Sequence, residues 1–247
     1  MTNTKIKIMR TTMRDGSHAV DHSFTTEQVR AIARGVDKAG VDFIERRHGD
    51  GICGSTINYG FSAVNEMEPL KAAAETIENA KLTVLLIPGV GTIEDLKKAE
   101  DAGIKAVRVA THVTEADVSI QHIRYAKSRG LFTVGFLMMS HMGSPETIVA
   151  QGKIFEAEGV DYINLADSAG YMTPEDVKAR VSALKEAVNL PVGYHAHNNL
   201  GLAMGNSLAA LEAGAEYLDA TCCGPGGGAG NSPTEVHWSS LPLALIH

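Results

Sequence analysis

His195 and His197 stand one residue apart in the run Gly193-Tyr194-His195-Ala196-His197-Asn198-Asn199. Side chains of an extended strand alternate faces, so both imidazoles point the same way, as a pair of metal ligands must. The segment opens as a short buried strand at Leu190-Pro191-Val192 and closes in Asn198-Asn199-Leu200-Gly201. The histidines therefore fall at the strand's C-terminal end, where parallel α/β folds carry their chemistry. The competing reading is a pair of core histidines, each of which would need its own buried hydrogen-bond partner.

Short apolar runs rich in β-branched residues alternate along the chain with longer amphipathic stretches, at a spacing of about thirty residues, the size of a βα unit. Eight such runs occur, at 5–9, 41–44, 82–87, 106–110, 132–137, 162–165, 192–194 and 217–220. Helix signals lie between them. Thr25-Thr26-Glu27-Gln28 has a capping-box pattern, and Lys38-Ala39-Gly40 supplies a C-terminal glycine. Thr173-Pro174-Glu175-Asp176 repeats the opening with proline at the first helical position. Glu100-Asp101-Ala102-Gly103, Glu156-Ala157-Glu158-Gly159 and Leu211-Glu212-Ala213-Gly214 each close a helix ahead of a strand. Eight βα units predict a single-domain (β/α)8 TIM barrel over 1–247. A doubly wound sheet is the weaker expectation, because the first turn, Met13-Arg14-Asp15-Gly16, has no glycine fingerprint.

In such a barrel the residues after each strand converge on one rim: Arg14, Asp15 and His18; His48 and Asp50; Thr111 and His112; Ser140 and His141; Asp167 and Ser168; His195 and His197; Cys222 and Cys223. Asp15 is the natural third ligand, since one carboxylate beside two imidazoles suits Mn²⁺, Mg²⁺, Co²⁺ or Fe²⁺, and catalytic zinc also accepts such a set. Its plain alternative is a turn residue in Arg-Asp-Gly.

The chain has 247 residues, 44% hydrophobic and 21% charged, and its net charge of -7 with scattered basic residues disfavours nucleic acid. Three cysteines without a Cys-x-x-Cys pair argue against a disulfide framework and against structural zinc. No apolar stretch is long enough for a signal peptide or membrane span, so a cytoplasmic location is expected.

A set of longer motifs carries a family resemblance. They are Thr12-Met13-Arg14-Asp15-Gly16-Ser17-His18-Ala19, His48-Gly49-Asp50-Gly51, Asn58-Tyr59-Gly60-Phe61, Phe136-Leu137-Met138-Met139-Ser140-His141-Met142, Ala166-Asp167-Ser168-Ala169-Gly170, His195-Ala196-His197-Asn198-Asn199-Leu200 and Gly228-Ala229-Gly230-Asn231-Ser232-Pro233. From about Lys5 to Val236 the chain resembles the 4-hydroxy-2-oxovalerate aldolases, pyruvate-forming class II aldolases of the wider HMG-CoA lyase-like group. The resemblance implies cleavage of a 4-hydroxy-2-oxo acid through a pyruvate enolate, as in the catabolism of aromatic hydrocarbons. It implies a divalent ion, Mn²⁺ first and Mg²⁺ or Co²⁺ next, on Asp15, His195 and His197. Arg14 is then the enolate-stabilising residue and His18 the base, roles that suit a permanent cation and a group titrating near neutrality. Arg14, Ser168 and His195 are expected to touch substrate. For Ser168 a helix-approach cap is an equal alternative.

Two departures stand out. The second strand ends Ile44-Glu45-Arg46-Arg47-His48, where relatives carry small or apolar residues, and alternation turns one arginine inward. The expectation is one arginine in solvent and one bridged to a carboxylate, with Glu45 or Asp50 as partner, rather than an arginine reading an acidic substrate. The second departure is length. Relatives continue into a helical region with a tyrosine proton donor and contacts to an acylating aldehyde dehydrogenase, and this region is expected to be absent after His247. A weak, self-associating aldolase without that dehydrogenase partner is the corresponding expectation, with Leu241, Leu243, Leu245 and Ile246 needing cover.

Alternatives of other kinds are an acyl-CoA lyase or synthase of the same superfamily and a catalytically impaired metal-binding barrel. The glycine run 224–230 lacks the Lys-Ser/Thr of a P-loop and reads as the last βα loop. His48, His112 and His141 read as structural or substrate-orienting groups, and Cys222-Cys223 as a packed strand end.

Overall fold

A computed structural model describes residues 6–240. Strands and helices alternate in the order β1 (Lys7–Met13), α1 (Thr26–Lys38), β2 (Phe43–Arg46), α2 (Met67–Thr76), β3 (Lys81–Leu86), α3 (Ile93–Asp101), β4 (Ala106–His112), α4 (Ile120–Ser128), β5 (Phe132–Met138), α5 (Pro145–Ala157), β6 (Tyr162–Asp167), α6 (Pro174–Ala187), β7 (Val192–Ala196), α7 (Ala203–Glu212), β8 (Tyr217–Ala220) and α8 (Thr234–Ser240). The strands close into one parallel barrel, β1 pairing with both β2 and β8. The (β/α)8 expectation holds. Leu241, Leu243, Leu245 and Ile246 lie outside the described residues. No described helix is long and apolar enough to cross a membrane.

The punctuation read from the sequence has its physical counterpart. Thr25 and Gln28 form a reciprocal capping box on α1, and Thr173 and Asp176 do so on α6. A third box, Thr92 with Asp95, starts α3. Each box satisfies backbone N–H groups that the first helical turn cannot. Gly103, Gly159 and Gly214, which follow the acidic-small helix ends, take left-handed backbone.

Several strands run past their apolar stretches. β1 continues to Met13, β4 to His112, β6 to Asp167 and β7 to Ala196. In a closed barrel the backbone ladder pairs whatever the side chain, so polar residues at the C-terminal ends remain strand and are fixed by it.

Outward-facing residues such as Ile44, Val84, Val109, Ile163 and Leu218 pack on the helices in the main core. The interior is layered. Its N-terminal end holds Met9, Phe43, Val134, Tyr162 and Tyr217, with the two tyrosine rings stacked at 3.9 Å. Its C-terminal end is apolar on one side, lined by Leu85, Ala110, Phe136 and Ala166 with Ile87 and Met138 against them. Between these lie Glu45, Arg108, Asn164 and Asp219, all buried. Gly193 makes room for this middle layer, since a Cβ there would sit 2.4 Å from Asn164 Oδ1 and 2.9 Å from the Tyr162 ring.

Candidate active site

Asp15 opens a short 3-10 helix, Asp15–Val20, directly after β1. His195 lies inside β7, and His197 follows the strand's end, where it bridges to Asn231 of the last loop. The alternation read from the sequence brings them together. Nε2 of His195 is 3.2 Å from Nε2 of His197, and Asp15 Oδ2 is 3.6 Å from the first and 3.8 Å from the second.

The remaining nitrogens decide what this cluster can hold. His195 Nδ1 lies 2.7 Å from Asp219 Oδ2, an ionised carboxylate that only accepts, so Nδ1 carries the proton. His197 Nδ1 lies 3.1 Å from the Gly227 carbonyl oxygen, so it too donates. In the neutral rings both Nε2 atoms are then bare lone pairs facing each other and a carboxylate oxygen. With both rings neutral nothing among the three can donate to another, and a proton on His195 or a divalent cation satisfies them. The donor set, one carboxylate and two imidazoles, fits a divalent ion.

Electrostatics follow the same geometry. Burial alone would raise the Asp15 carboxyl, but Arg14 and the two histidines hold it well below the usual carboxylate range. Burial opposes charge on His195, yet Asp15 and Asp219 together raise it. His197, with less compensation against burial, is lowered.

Arg14 is buried beside the cluster. Its Nε donates to Glu45 Oε2 at 2.7 Å, and its Nη1 donates to Asp15 Oδ1 at 3.0 Å and to the Gly49 carbonyl at 3.3 Å. Nη2 is buried without a protein partner, which leaves one donor of a fixed fork for a ligand. His18 lies on the same 3-10 helix at the mouth, its Nε2 4.0 Å from Asp15 Oδ1 and its side chain 30% exposed. Beyond it His22 stacks on His48 at 3.7 Å, and burial with both neighbouring imidazoles pushes His22 down to about 4. Ser168 Oγ accepts the Met139 amide at 2.9 Å, which ties the β5 and β6 loops and leaves its own proton free to donate.

Other rim residues lie around the cluster. His48 is buried, taking the Asp50 amide on Nδ1 and contacting the Gly60 carbonyl through Nε2. His112 Nδ1 lies 2.8 Å from Thr114 Oγ1, and His141 Nδ1 3.7 Å from Asp167. The glycine run is the β8 loop. Gly230 has φ +93, and a Cβ there would fall 2.2 Å from the Gly224 carbonyl, so only glycine lets the loop turn under His197.

The two arginines after Glu45 depart from expectation. Neither is in solvent, and neither pairs with Glu45 or Asp50. Glu45 is taken by Arg14 and by Arg108 at 3.2 Å. Arg47 instead lies 3.6 Å from Glu66 at the start of α2. Arg46 donates to the carbonyls of Met13 and Arg47, and burial lowers it to about 10. The Cys222-Cys223 expectation fails at Cys223, which is exposed, and Cys222 has a cationic neighbour in space, Arg10 at 3.4 Å.

Sequence reading missed four residues. From the sequence Glu45 reads only as a partner for Arg46 or Arg47, and Arg108, Asp219 and Asn231 take no role. Asn231 donates to Asp15 Oδ2. For Glu45, Arg108 and Asp219 a signal existed, because each is a charge in or beside an apolar run where burial demands a partner.

Comparison with known proteins agrees with this geometry. The HMGL-like family model matches residues 5–244. Over 236 residues the chain is 62% identical to a protein named 4-hydroxy-2-oxovalerate aldolase from Moorella thermoacetica, spanning 96% of this chain and 70% of that protein. A protein of the same name from Carboxydothermus hydrogenoformans is 57% identical over 94% of this chain and 69% of its own length. Among solved structures, the carboxyl transferase domain of Rhizobium etli pyruvate carboxylase with pyruvate and biocytin superposes with a TM-score of 0.83, covering 98% of this chain and 44% of that one at 21% identity, a likeness of fold alone. The chain belongs to the HMGL-like family and, within it, to the 4-hydroxy-2-oxovalerate aldolases.

Proposed function

We propose that this protein cleaves 4-hydroxy-2-oxopentanoate to pyruvate and acetaldehyde with a divalent ion, Mn²⁺ first, held by Asp15, His195 and His197. The observation that carries the reading is the pair of Nε2 atoms converging on Asp15 beside a buried arginine with a free donor. When bound, the ion supplies Lewis-acid stabilisation of the 2-oxo and carboxylate oxygens.

The chain's own residues do the rest. His18, at the mouth and partly exposed, takes the proton of the 4-hydroxyl. The C3–C4 bond breaks as the C4–O bond becomes a carbonyl, its electron pair forms the C2–C3 double bond, and the ketone π pair moves to the former ketone oxygen; the enolate then takes a proton from solvent at C3 to give pyruvate. Arg14 Nη2 donates to that oxygen, already fixed by the three hydrogen bonds of its neighbouring nitrogens. Ser168 donates to the substrate carboxylate. The departing aldehyde lies against Ile87, Phe136 and Met138, the apolar side of the rim, which accepts an alkyl group and excludes water from it. His195 acts as a ligand, since one nitrogen is occupied by Asp219 and the other faces the cluster.

The test is pyruvate release from 4-hydroxy-2-oxopentanoate, coupled to a pyruvate-specific reporter, in chelated protein with and without added Mn²⁺. Metal-dependent turnover is expected. No pyruvate under either condition overturns the reading. The relatives do not favour the acyl-CoA alternative, and Asp15→Asn or His197→Ala should abolish turnover together with bound metal.

A further inference from the structure

We propose that Arg108 is a positioning residue that holds both halves of the site with one guanidinium, fixing Arg14 through Glu45 and His195 through Asp219; this rests on the aldolase reading and extends it. Arg108 projects from the middle of β4 and is fully buried. Its Nη1 donates to Glu45 Oε2 on β2 at 3.2 Å, and its Nη2 to Asp219 Oδ2 on β8. In a barrel of eight strands β4 and β8 stand opposite each other, so this side chain crosses the interior. Ala106 and Ala110, two residues to either side on the same face, leave it room, and the Phe136 ring lies 4.2 Å from the guanidinium carbon, fixing its plane.

Both acceptor oxygens are shared. Glu45 Oε2 also takes Arg14 Nε at 2.7 Å, and Asp219 Oδ2 also takes His195 Nδ1 at 2.7 Å and Asn164 Nδ2 at 3.3 Å. The result is a continuous chain, Arg14 to Glu45 to Arg108 to Asp219 to His195, that joins the enolate-facing donor to a metal ligand without passing through the ion. Charge makes Arg108 its centre. Within the chain and Asp15, two guanidinium groups face three carboxylates, leaving one negative charge over for an ion to offset. Removing Arg108 takes away the fork that fixes both carboxylates and leaves them with Arg14 alone. A displaced Asp219 no longer orients His195, and a displaced Glu45 releases Arg14. Lysine keeps the charge but has no fork, so its ammonium serves one carboxylate at a time.

The experiment is Mn²⁺ titration of ion-stripped protein together with kcat and KM at saturating Mn²⁺. Arg108→Met should weaken Mn²⁺ binding and lower kcat, each by about tenfold or more, with KM changed less. Arg108→Lys should recover at most one of the two. Glu45→Gln should lower kcat with Mn²⁺ affinity kept, and Asp219→Asn should weaken Mn²⁺ first. Loss of activity in Arg108→Met with native Mn²⁺ affinity overturns the proposal, as does full recovery of both quantities by lysine. Should Arg108→Met not fold, Glu45→Gln combined with Asp219→Asn decides. Coupling through Arg108 makes their joint effect on kcat depart from the product of the single effects by about threefold or more, and simple multiplication rules the bridge out. A wild-type protein that binds Mn²⁺ yet releases no pyruvate defeats the aldolase reading alone, and the Mn²⁺ series still judges Arg108.

Discussion

At the residue scale the site is a matter of which nitrogen carries which proton. Asp219 and the Gly227 carbonyl hold the Nδ1 protons of both ligand histidines, so their Nε2 atoms face an ion without turning the rings. Because the nearby carboxylates raise His195 above its ordinary 6.5 in ion-free protein, an ion arriving below that raised value must displace a proton. Mn²⁺ should therefore bind more tightly at pH 8 than at pH 5.5 in a direct titration, and equal affinities would remove the proton competition. Arg14 makes a second case. Three of its hydrogen bonds reach Glu45, Asp15 and the Gly49 carbonyl through two different nitrogens, and the third nitrogen is spare. A lysine can satisfy one of these directions, so Arg14→Lys should turn over about a hundredfold or more below wild type, as for loss of an oxyanion donor, while metal content stays intact. Steady-state rates alongside metal analysis check this, and a near-native lysine variant would take Arg14 out of the reaction.

Elements explain why some of this was legible in the chain and some was not. Two-residue alternation is a local property, so His195 and His197 could be aimed from sequence alone, and the recurring acidic-small-glycine endings marked helix stops that left-handed glycines confirm. The strand ends were not legible, because apolar periodicity fades where the rim turns polar while the ladder continues. Glu45, Arg108 and Asp219 were missed for a related reason. Their partners are on strands far apart in sequence, 63 residues for the first pair and 111 for the second, and barrel closure alone brings them together. Arg46 and Arg47 show the limit of alternation, since a strand's end can bury both faces once a long loop folds over it. Gly193 gives the element-scale prediction. Its missing Cβ is the space used by Asn164 and the Tyr162–Tyr217 stack, so Gly193→Ala should destabilise by about 1–3 kcal/mol and loosen Asn164 from Asp219. Denaturant unfolding with an unchanged midpoint would contradict that packing account.

For the whole molecule, the chain must close its barrel between β8 and β1 and hold the β8 loop, which carries Gly227 and Asn231, against the ligand cluster. Ser232 at the end of that loop meets His237 Nε2 of α8 at 2.8 Å, and Thr234 N–H donates to the Thr221 carbonyl at 2.9 Å. Burial, with the Arg10 charge adding to it, pushes His237 from its ordinary 6.5 down to about 4. A histidine lowered in the folded state binds fewer protons there than in the unfolded chain. Its stabilising contribution is therefore whole above pH 6.5 and declines as pH falls toward 4, by at most on the order of 3 kcal/mol. His22, lowered to about 4 as well, acts in the same direction. Acid should thus unlatch the barrel's closing segment before it titrates the buried carboxylates, which lie lower still in the case of Asp15 and Asp219. Chemical denaturation of ion-free protein at pH 7, 5.5 and 4.5 should show stability falling through this window. In His237→Gln, whose amide can still meet Ser232 but does not titrate, the fall should be shallower, and identical pH slopes for the two proteins would show that the closing segment is not where acid acts.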